Sequence, residues 1–219
     1  MTDWSMLWPV YLTSIGQTLW MVVATLVLGG VLGLALGVLL YTTRQGGLLE
    51  NRVLSAVLNV LVNFVRPIPF IIFMTAVAPL TQAVLGTFLG TPAAIFPMTI
   101  AATFAISRIV EQNLVTIDPG VIEAARAMGS SPWRIISTLL IPEALGPLIL
   151  GYTFVFVAIV DLSAVAGSLG GGGLGDFAIS YGYQRYNWLV TWVAVLTIVV
   201  LVQLAQFAGN TLARKALRR

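Results

Sequence analysis

The residues best placed to do chemistry or to bind a partner lie in a short polar stretch between long apolar runs. The stretch reads Glu123, Ala124, Ala125, Arg126, Ala127, Met128 and Gly129. Glu123 and Arg126 can make charged contacts at the edge of an interface, and the small Ala124 and Ala125 let a partner surface approach closely. The stretch therefore predicts a surface that is presented to a partner.

The same stretch has the start and stop signals of a short helix. Asp118 is suited to cap the helix at its N-terminus, and Pro119 stands at the first helical position. Glu123 adds negative charge in the early turns, and Gly129 supplies the left-handed residue that ends the helix.

A second short helix is predicted directly afterwards. Ser131 caps it, Pro132 restarts the helical backbone, and Pro142 is expected to stop it before the next apolar run. Two capped helices in succession form a stiff helix-turn-helix that can transmit a displacement. A solvated loop is the alternative, whereas sparse basic charge disfavours a DNA-binding helix-turn-helix.

One carboxylate interrupts an apolar run. An ionised Asp161 in hydrocarbon costs at least about 2.5 kcal/mol, so it must face a wet cavity, find a partner or be protonated. In the functional interpretation Asp161 and Ser163 line a substrate pathway near its outer mouth, with a substrate ammonium as counter-ion. In the structural interpretation Asp161 pairs with Arg66 or with backbone groups. The sequence leaves both open, and Arg66 is itself a candidate for the pathway.

The residue inventory excludes several chemistries. The chain has no Cys and no His, so disulfides, thiol catalysis, histidine base catalysis and the usual zinc sites are absent, and its eight acidic residues are scattered. The glycine run at 170–175 lacks the lysine of a phosphate-binding loop. We therefore expect no metal, no cofactor and no enzymatic activity, and any ATP-driven work must come from another polypeptide.

The composition identifies an integral membrane protein. Hydrophobic residues make up 58% of the chain, charged residues make up 9%, and the mean hydropathy is +0.97. The apolar runs are continuous, with no period of two, so they predict membrane helices of about 20 residues and not barrel strands.

The apolar runs predict an all-α fold of about five transmembrane helices in one domain that covers residues 1–219. A cytoplasmic loop is predicted at about 110–146. A helix break is expected at 86–92, in a region that is rich in proline. The predicted spans are 14–41, 54–78, 88–109, 148–168 and 189–208.

The positions of Lys and Arg predict the orientation, because these residues favour the cytoplasmic side. The opposite face has only Arg185, and Asp3 is the one charged residue before the first span. We expect the N-terminus outside, the C-terminus in the cytoplasm and no nucleic-acid partner. The residues assigned to the cytoplasmic side are Arg44, Arg52, Arg108, Arg126, Arg134, Arg214, Lys215, Arg218 and Arg219.

Two groups of glycines are predicted to have structural roles. Gly29, Gly30, Gly33 and Gly37 have spacings that allow close packing of the first span, most simply within the subunit. The run at 170–173 predicts a flexible turn or a short re-entrant segment, with a simple extracytoplasmic loop as the alternative.

At this point a family resemblance can be stated. The polar stretch resembles the cytoplasmic loop of the permease subunits of ABC importers. The pattern that carries the resemblance is Glu-Ala-Ala, three residues, Gly129, nine residues, and then Leu139 to Pro142. The usual Ile-x-Leu-Pro is replaced by Leu-x-Ile-Pro, an exchange of aliphatic side chains that preserves packing. Segments in similar order over most of the chain resemble the methionine-uptake permeases, namely 66–72, 123–129, 172–175, 181–187 and 206–209.

The resemblance implies a type I ABC importer permease of the bacterial cytoplasmic membrane, with a coupling helix that sits in a cleft of the ATPase. It implies a homodimer that forms a pathway for methionine in its L and D forms. The partners are two cytoplasmic ATPase subunits, which bind the ATP, and an extracytoplasmic substrate-binding protein. The implied coupling residues are Glu123, Ala124, Ala125, Arg126, Gly129 and Pro142.

Two other functions remain open at this stage. An importer of the same family could carry another amino acid or a small peptide. An ion channel would need a pore-lining ring or filter and would need no coupling loop.

Overall fold

The computed structural model describes residues 4 to 217, and all regular elements in that range are helical. Asp3, Arg218 and Arg219, which were used to predict the orientation, lie outside the described residues. The α-helices in the described range are α1 Trp4–Thr43, α2 Arg52–Val65, α3 Phe70–Leu85, α4 Thr91–Val115, α5 Pro119–Ala127, α6 Pro132–Ile135, α7 Ile141–Ala166, α8 Gly173–Asp176 and α9 Trp188–Leu217.

The all-helical membrane architecture predicted from the composition is confirmed. Helix α1, helix α4, the continuous helical run Pro132–Gly171 and α9 are each long and apolar enough to cross a membrane. The pair formed by α2 and α3 also passes this test if the two are counted as one broken span. The described residues thus contain four such helices, or five with the broken pair.

The second predicted span differs from the structure. A single helix was expected over 54–78, but the structure has α2 and α3 with their axes bent by 112°. Pro67 and Pro69 lie at the break, and Pro69 has the extended backbone angles φ −55° and ψ 132°. A proline has no N–H for the helical ladder, and its ring collides with the preceding turn, so two prolines in three residues end the helix. The break expected at 86–92 lies between α3 and α4.

Helices α1 and α4 pack side by side through a row of glycines. A Cβ built on Gly33 would lie 2.6 Å from the Ile106 Cβ, and one on Gly37 would lie 2.5 Å from the Val110 Cβ. The glycines of the first span were predicted to allow close packing within the subunit, and the structure shows this contact. Residue numbers rise together along the contact, so the two helices are parallel: Gly29 faces Ala102, Gly33 faces Ile106 and Gly37 faces Val110.

Helix α7 runs in the opposite direction to α1 and α4. Its Gly151 faces Ile109, and the Tyr152 hydroxyl donates a 2.7 Å hydrogen bond to the Gly30 carbonyl. Helix α9 then returns parallel to α1, because Tyr11 near the start of α1 bonds Thr197 near the start of α9 at 2.6 Å. The buried core lies among α1, α4 and α7.

The glycine run forms a fixed turn. Gly170, Gly172 and Gly173 have φ values of +92°, +78° and +82°, which favour glycine. The chain then folds back as a short helical segment, and its first amides are held by α1. The Gly173 N–H donates to Gln17 Oε1 at 2.7 Å, and the Leu174 N–H donates to Thr18 Oγ1 at 2.8 Å. This packed segment replaces both the flexible turn and the simple loop that the sequence left open.

The two ends of the helix bundle differ in charge. At one end lie the last residues of α1 and α9 and the whole of α5, and this end is called the basic end after Arg44, Arg126, Arg134, Arg214 and Lys215. The opposite end, called the glycine end, contains the turn at 170–173. Arg185 lies there over the Tyr181 ring at 5.0 Å.

The glycine seam generates a stability prediction. We expect Gly37→Ala to lower the midpoint of thermal unfolding in detergent, because the added methyl group lies 2.6 Å from the Ser107 carbonyl oxygen as well as against Val110. Overpacking of this kind costs about 1–3 kcal/mol. Gly16→Ala is the matched control, since nothing lies within 4 Å of its built Cβ. Equal midpoints for the two variants would contradict a tightly packed seam.

Candidate functional site

Helix α5 begins with the cap that the sequence predicted. The Asp118 carboxylate accepts a 2.8 Å hydrogen bond from the Gly120 N–H, and Pro119 occupies the first helical position. One of the free amides at the helix start is thereby satisfied. The Asp118 side chain also fixes the direction in which the chain leaves α4, only three residues after that helix ends.

The C-terminal end of α5 also has the predicted geometry. Gly129 has φ +78°, and its N–H donates to the Arg126 carbonyl at 2.9 Å. The next N–H, that of Ser130, donates to the Ala125 carbonyl at 3.1 Å. These bonds satisfy the last carbonyls of the helix and turn the chain sharply.

The second helix begins as predicted but does not end at Pro142. Ser131 Oγ accepts from the Arg134 N–H at 3.4 Å, and helix α6 continues through Ile136–Leu140 into α7. Residues Ile136–Leu140 form a π-helical turn, in which the Ile141 N–H donates to the Ile136 carbonyl five residues earlier. This wider turn accommodates the proline that follows, so Pro142 lies inside one continuous helical run. The prediction that Pro142 stops the helix is wrong.

The two alanines of α5 face opposite ways. Ala124 is exposed, as are Glu123 and Arg126. Ala125 is only 7% exposed and packs in the core of this same chain with Ile117. Both alanines were predicted to face a partner, and the structure places only Ala124 on the outer surface. Ala125 is instead part of the buried core, to which Leu114, Ile135 and Ile136 also belong.

Two large apolar side chains on this surface were missed by sequence reasoning. Met128 is 79% exposed and Trp133 is 72% exposed, and Val121 on α5 is exposed as well. Aromatic and methionine side chains are enriched at the centres of protein interfaces, where side chains that are exposed in the free subunit become buried. The signal that could have found them is their hydrophobicity, since they are bulky apolar residues within an otherwise polar stretch. We call Val121, Glu123, Ala124, Met128 and Trp133 the docking face.

Asp161 lies on an exposed face of α7. Phe154, 70% exposed, and Ala158 share this face at helical spacing. Among the described residues Asp161 makes no ion pair, because the ion pairs found there are Arg52–Glu50 and Arg108–Glu111. The pairing with Arg66 that the sequence left open is therefore not formed within the chain.

The other two pathway candidates lie elsewhere. Ser163 is 2% exposed and donates its hydroxyl to the Val160 carbonyl at 2.7 Å, so it shares no surface with Asp161. Arg66 is exposed and lines a polar pocket together with Arg108 and Glu111. The three candidates are thus not gathered into one site. No group of three or more acidic residues that could hold a metal ion occurs in residues 4–217.

The comparisons with known proteins agree with this fold. Residues 29–218 match the family of binding-protein-dependent transport system inner membrane components, and the chain belongs to that family. It is a permease subunit of an ABC transporter, as its polar loop and helical architecture indicated. The resemblance to ABC importer permeases stated from the sequence is confirmed.

Several relatives are named for methionine transport. A probable D-methionine transport system permease of Vibrio cholerae is 45% identical over 204 residues, which cover 93% of this chain and 91% of that protein. The methionine import system permease of Bacillus subtilis is 39% identical over 172 residues, 78% of each chain. The permease chain of the methionine ABC transporter MetNI, solved in inward-facing conformations, superposes with a TM-score of 0.94 at 40% identity, covering 98% of this chain and 99% of that chain.

A solved amino acid ABC transporter with histidines also has this fold. It superposes with a TM-score of 0.80 at 16% identity, covering 98% of this chain and 99% of that one. At this level of identity the likeness extends to the fold alone.

The cap geometry of α5 generates a prediction about the rigidity of the docking face. We expect Gly129→Val to make tryptic cleavage after Arg126 and Arg134 about tenfold faster, because a β-branched residue at φ +78° costs at least about 1–2 kcal/mol. Met128→Ala is the control, since it removes an exposed side chain and leaves the turn unstrained. Cleavage of both variants at the same rate would show that the turn does not limit the opening of this segment.

Proposed function

We propose that this chain is the membrane subunit of an ATP-driven importer that carries methionine across the bacterial cytoplasmic membrane. The observation that carries the proposal is the docking face, in which Met128 directly after α5 and Trp133 on α6 are exposed, while Ala125 of α5 lies in the core. The substrate is inferred from the relatives named for methionine transport, which match most of the chain.

The docking face is suited to receive the displacement of an ATPase subunit. Its outer side offers an aromatic side chain, a methionine and charged groups to a partner. Its inner side contributes Ala125 to the buried core, to which Ile117 after α4 and Ile136 before α7 also belong. A push on α5 is therefore proposed to act on the core that α4 and α7 share. ATP is bound and hydrolysed by the partner, and no cofactor is assigned to this chain.

We assign the basic end to the cytoplasm and the glycine end to the outside. Arg44, Arg126 and Arg214 at the basic end agree with the preference of cationic residues for the cytoplasmic side, while Arg185 lies at the other end. On this assignment the N-terminus is outside and the C-terminus is in the cytoplasm. An extracytoplasmic binding protein would then deliver substrate at the glycine end.

The pathway is proposed to lie between two copies of the chain. Asp161 and Phe154 are exposed in a helix that must cross the membrane, and a carboxylate facing lipid is unfavourable. A second copy related by two-fold symmetry would cover this face and enclose a wet path. ATP binding would draw the two ATPase subunits together and open the path outward, and hydrolysis would return it to the inward state.

Reconstitution tests the proposed function. The chain is co-expressed with its ATPase and placed in proteoliposomes with the binding protein, and ATP-dependent uptake of labelled methionine is measured. Competition by excess leucine or a dipeptide tests the alternative substrates within the family. Uptake that proceeds without ATP, or currents in the absence of the ATPase, would support a channel and contradict the proposal.

The exposed tryptophan generates a prediction for the assembly. We expect Trp133→Ala to weaken binding of the ATPase by about 2 kcal/mol, or ~30-fold in Kd, because a central aromatic anchor is lost. Trp192→Ala is the matched control, since Trp192 is 62% exposed on α9, away from the docking face. Binding is measured by titration of the detergent-solubilised subunit with ATPase. Equal affinities for the two variants would remove Trp133 from the interface.

The lone membrane carboxylate generates a prediction for transport. We expect Asp161→Asn to raise the apparent KM for methionine about tenfold while ATP hydrolysis continues, because the counter-charge for the substrate ammonium is removed. Glu143→Gln is the control, since Glu143 is an exposed acid in the first turn of the same helix, near the basic end. Kinetics of uptake in proteoliposomes measure both. An unchanged KM would assign Asp161 to a structural role.

A further inference from the structure

The basic half of the bundle contains a polar network that no part of the proposed function uses. The Arg108 guanidinium on α4 forms an ion pair with Glu111, with Nη1 and Oε2 separated by 2.5 Å. Its Nη2 donates to Asn59 Oδ1 at 2.8 Å and to Asn63 Oδ1 at 2.7 Å, both on α2. The Arg108 and Glu111 side chains are only 14% and 18% exposed. We call these four residues the arginine joint.

The joint matters because α2 is otherwise weakly packed. Val62 is the one residue of α2 that is buried. The opposite face of α2 carries a stripe of exposed apolar side chains at helical spacing, so hydrophobic contact within the chain covers only part of the helix. The stripe consists of Val53, Val57, Val60 and Phe64.

The geometry of the joint is suited to fix α2 in both position and rotation. Asn59 and Asn63 stand one helical turn apart, so a single nitrogen of Arg108 holds two successive turns of α2. The Arg108–Glu111 ion pair orients the guanidinium from within α4. Hydrogen bonds from a charged donor in a partly desolvated place are roughly twice as strong as neutral ones.

The joint is also close to the helix that meets the partner. Arg108 lies seven residues before the end of α4, which is about 10 Å along the axis, and α5 begins four residues after α4 ends. The polar pocket beside the joint has a volume of about 590 Å³ and is walled by α2 and α4, with Arg66 and Gln112 on its lining. Any motion of α5 passed to α4 therefore reaches this pocket.

We propose that Arg108 is a positioning residue that makes α2 move as one body with the basic half of α4, so that displacement of α5 carries α2, α4 and the pocket beside Arg66 together. This inference rests on the proposed function, because it names how a push on the docking face reaches the pathway. Without the joint α5 would still move α4, but α2 would not follow, and ATP hydrolysis would proceed without a matching transfer of substrate.

The double variant Asn59→Ala with Asn63→Ala tests the joint directly. It removes both acceptors on α2 and leaves the Arg108–Glu111 pair in α4 intact. We expect methionine uptake per ATP hydrolysed to fall about tenfold, with the ATPase rate of the assembled complex unchanged within about twofold. Arg52→Gln is the control, since it breaks an exposed ion pair with Glu50 near the start of α2. Unchanged uptake per ATP in the double variant would overturn the proposal.

A charge exchange separates positioning from simple loss of a residue. Arg108→Glu alone places two carboxylates together and should abolish coupled uptake. Arg108→Glu combined with Glu111→Arg should restore it, because the amide of Asn63 can rotate and donate to the new carboxylate. Failure of the exchange to restore uptake, in a complex that assembles, would contradict a role through hydrogen bonds to α2.

A distance measurement tests the joint without reference to transport. The chain has no Cys, so spin labels can be attached at Val60→Cys on α2 and Val115→Cys on α4, both exposed positions. Complexes with one labelled copy are expected to give the same narrow distance without nucleotide and with ATP trapped, and a broad distance in the asparagine double variant. A distance that changes with nucleotide in the parent chain would overturn the proposal. Absence of methionine uptake by the parent chain, by contrast, would contradict only the proposed function.

Discussion

Close contact between the backbones of α1 and α4 is the constraint on which the rest of the structure depends. Gly33 and Gly37 allow it, because any larger residue would collide with Ile106 and Val110. In a hydrocarbon solvent apolar burial gives no preference for one helix partner over another, so packing of this precision decides which helices associate. The seam fixes the end of α4, and α5 follows that end after three residues. The docking face is therefore positioned by glycines that lie in another helix.

Much of helix α5 could be predicted from the sequence because its determinants are local. The Asp118 cap, Pro119 and the left-handed Gly129 each act over a few residues, and each has the expected geometry. The continuation of the helix through Pro142 could not be predicted in this way. It depends on the π-helical turn before Pro142, which accommodates the hydrogen bond that the proline cannot make. The inward orientation of Ala125 depends on tertiary packing, which neither alanine reveals in the sequence.

The arginine joint was beyond sequence reasoning for a related physical reason. Arg108 bonds residues 45 and 49 positions away, and no local signal connects an arginine in one helix to asparagines in another. The sequence did place Arg66 and Arg108 at the borders of an uncharged interval. The bend of 112° between α2 and α3 divides the predicted span 54–78 into two helices. It is this bend that leaves α2 dependent on a polar contact.

The few charges inside the bundle differ in how they are compensated, and the difference has consequences for assembly. The partly buried Arg108 is neutralised by Glu111 and donates hydrogen bonds to two amides, so its desolvation is compensated within one chain. Asp161 has no such compensation among the described residues, although it lies on a helix long enough to span a membrane. A carboxylate left facing lipid carries a standing cost, which water in the proposed path between two copies would remove. Within the described residues the charge of Arg108 is thus compensated and that of Asp161 is not, so in the proposed assembly Asp161 marks the surface that needs a partner, whereas Arg108 does not.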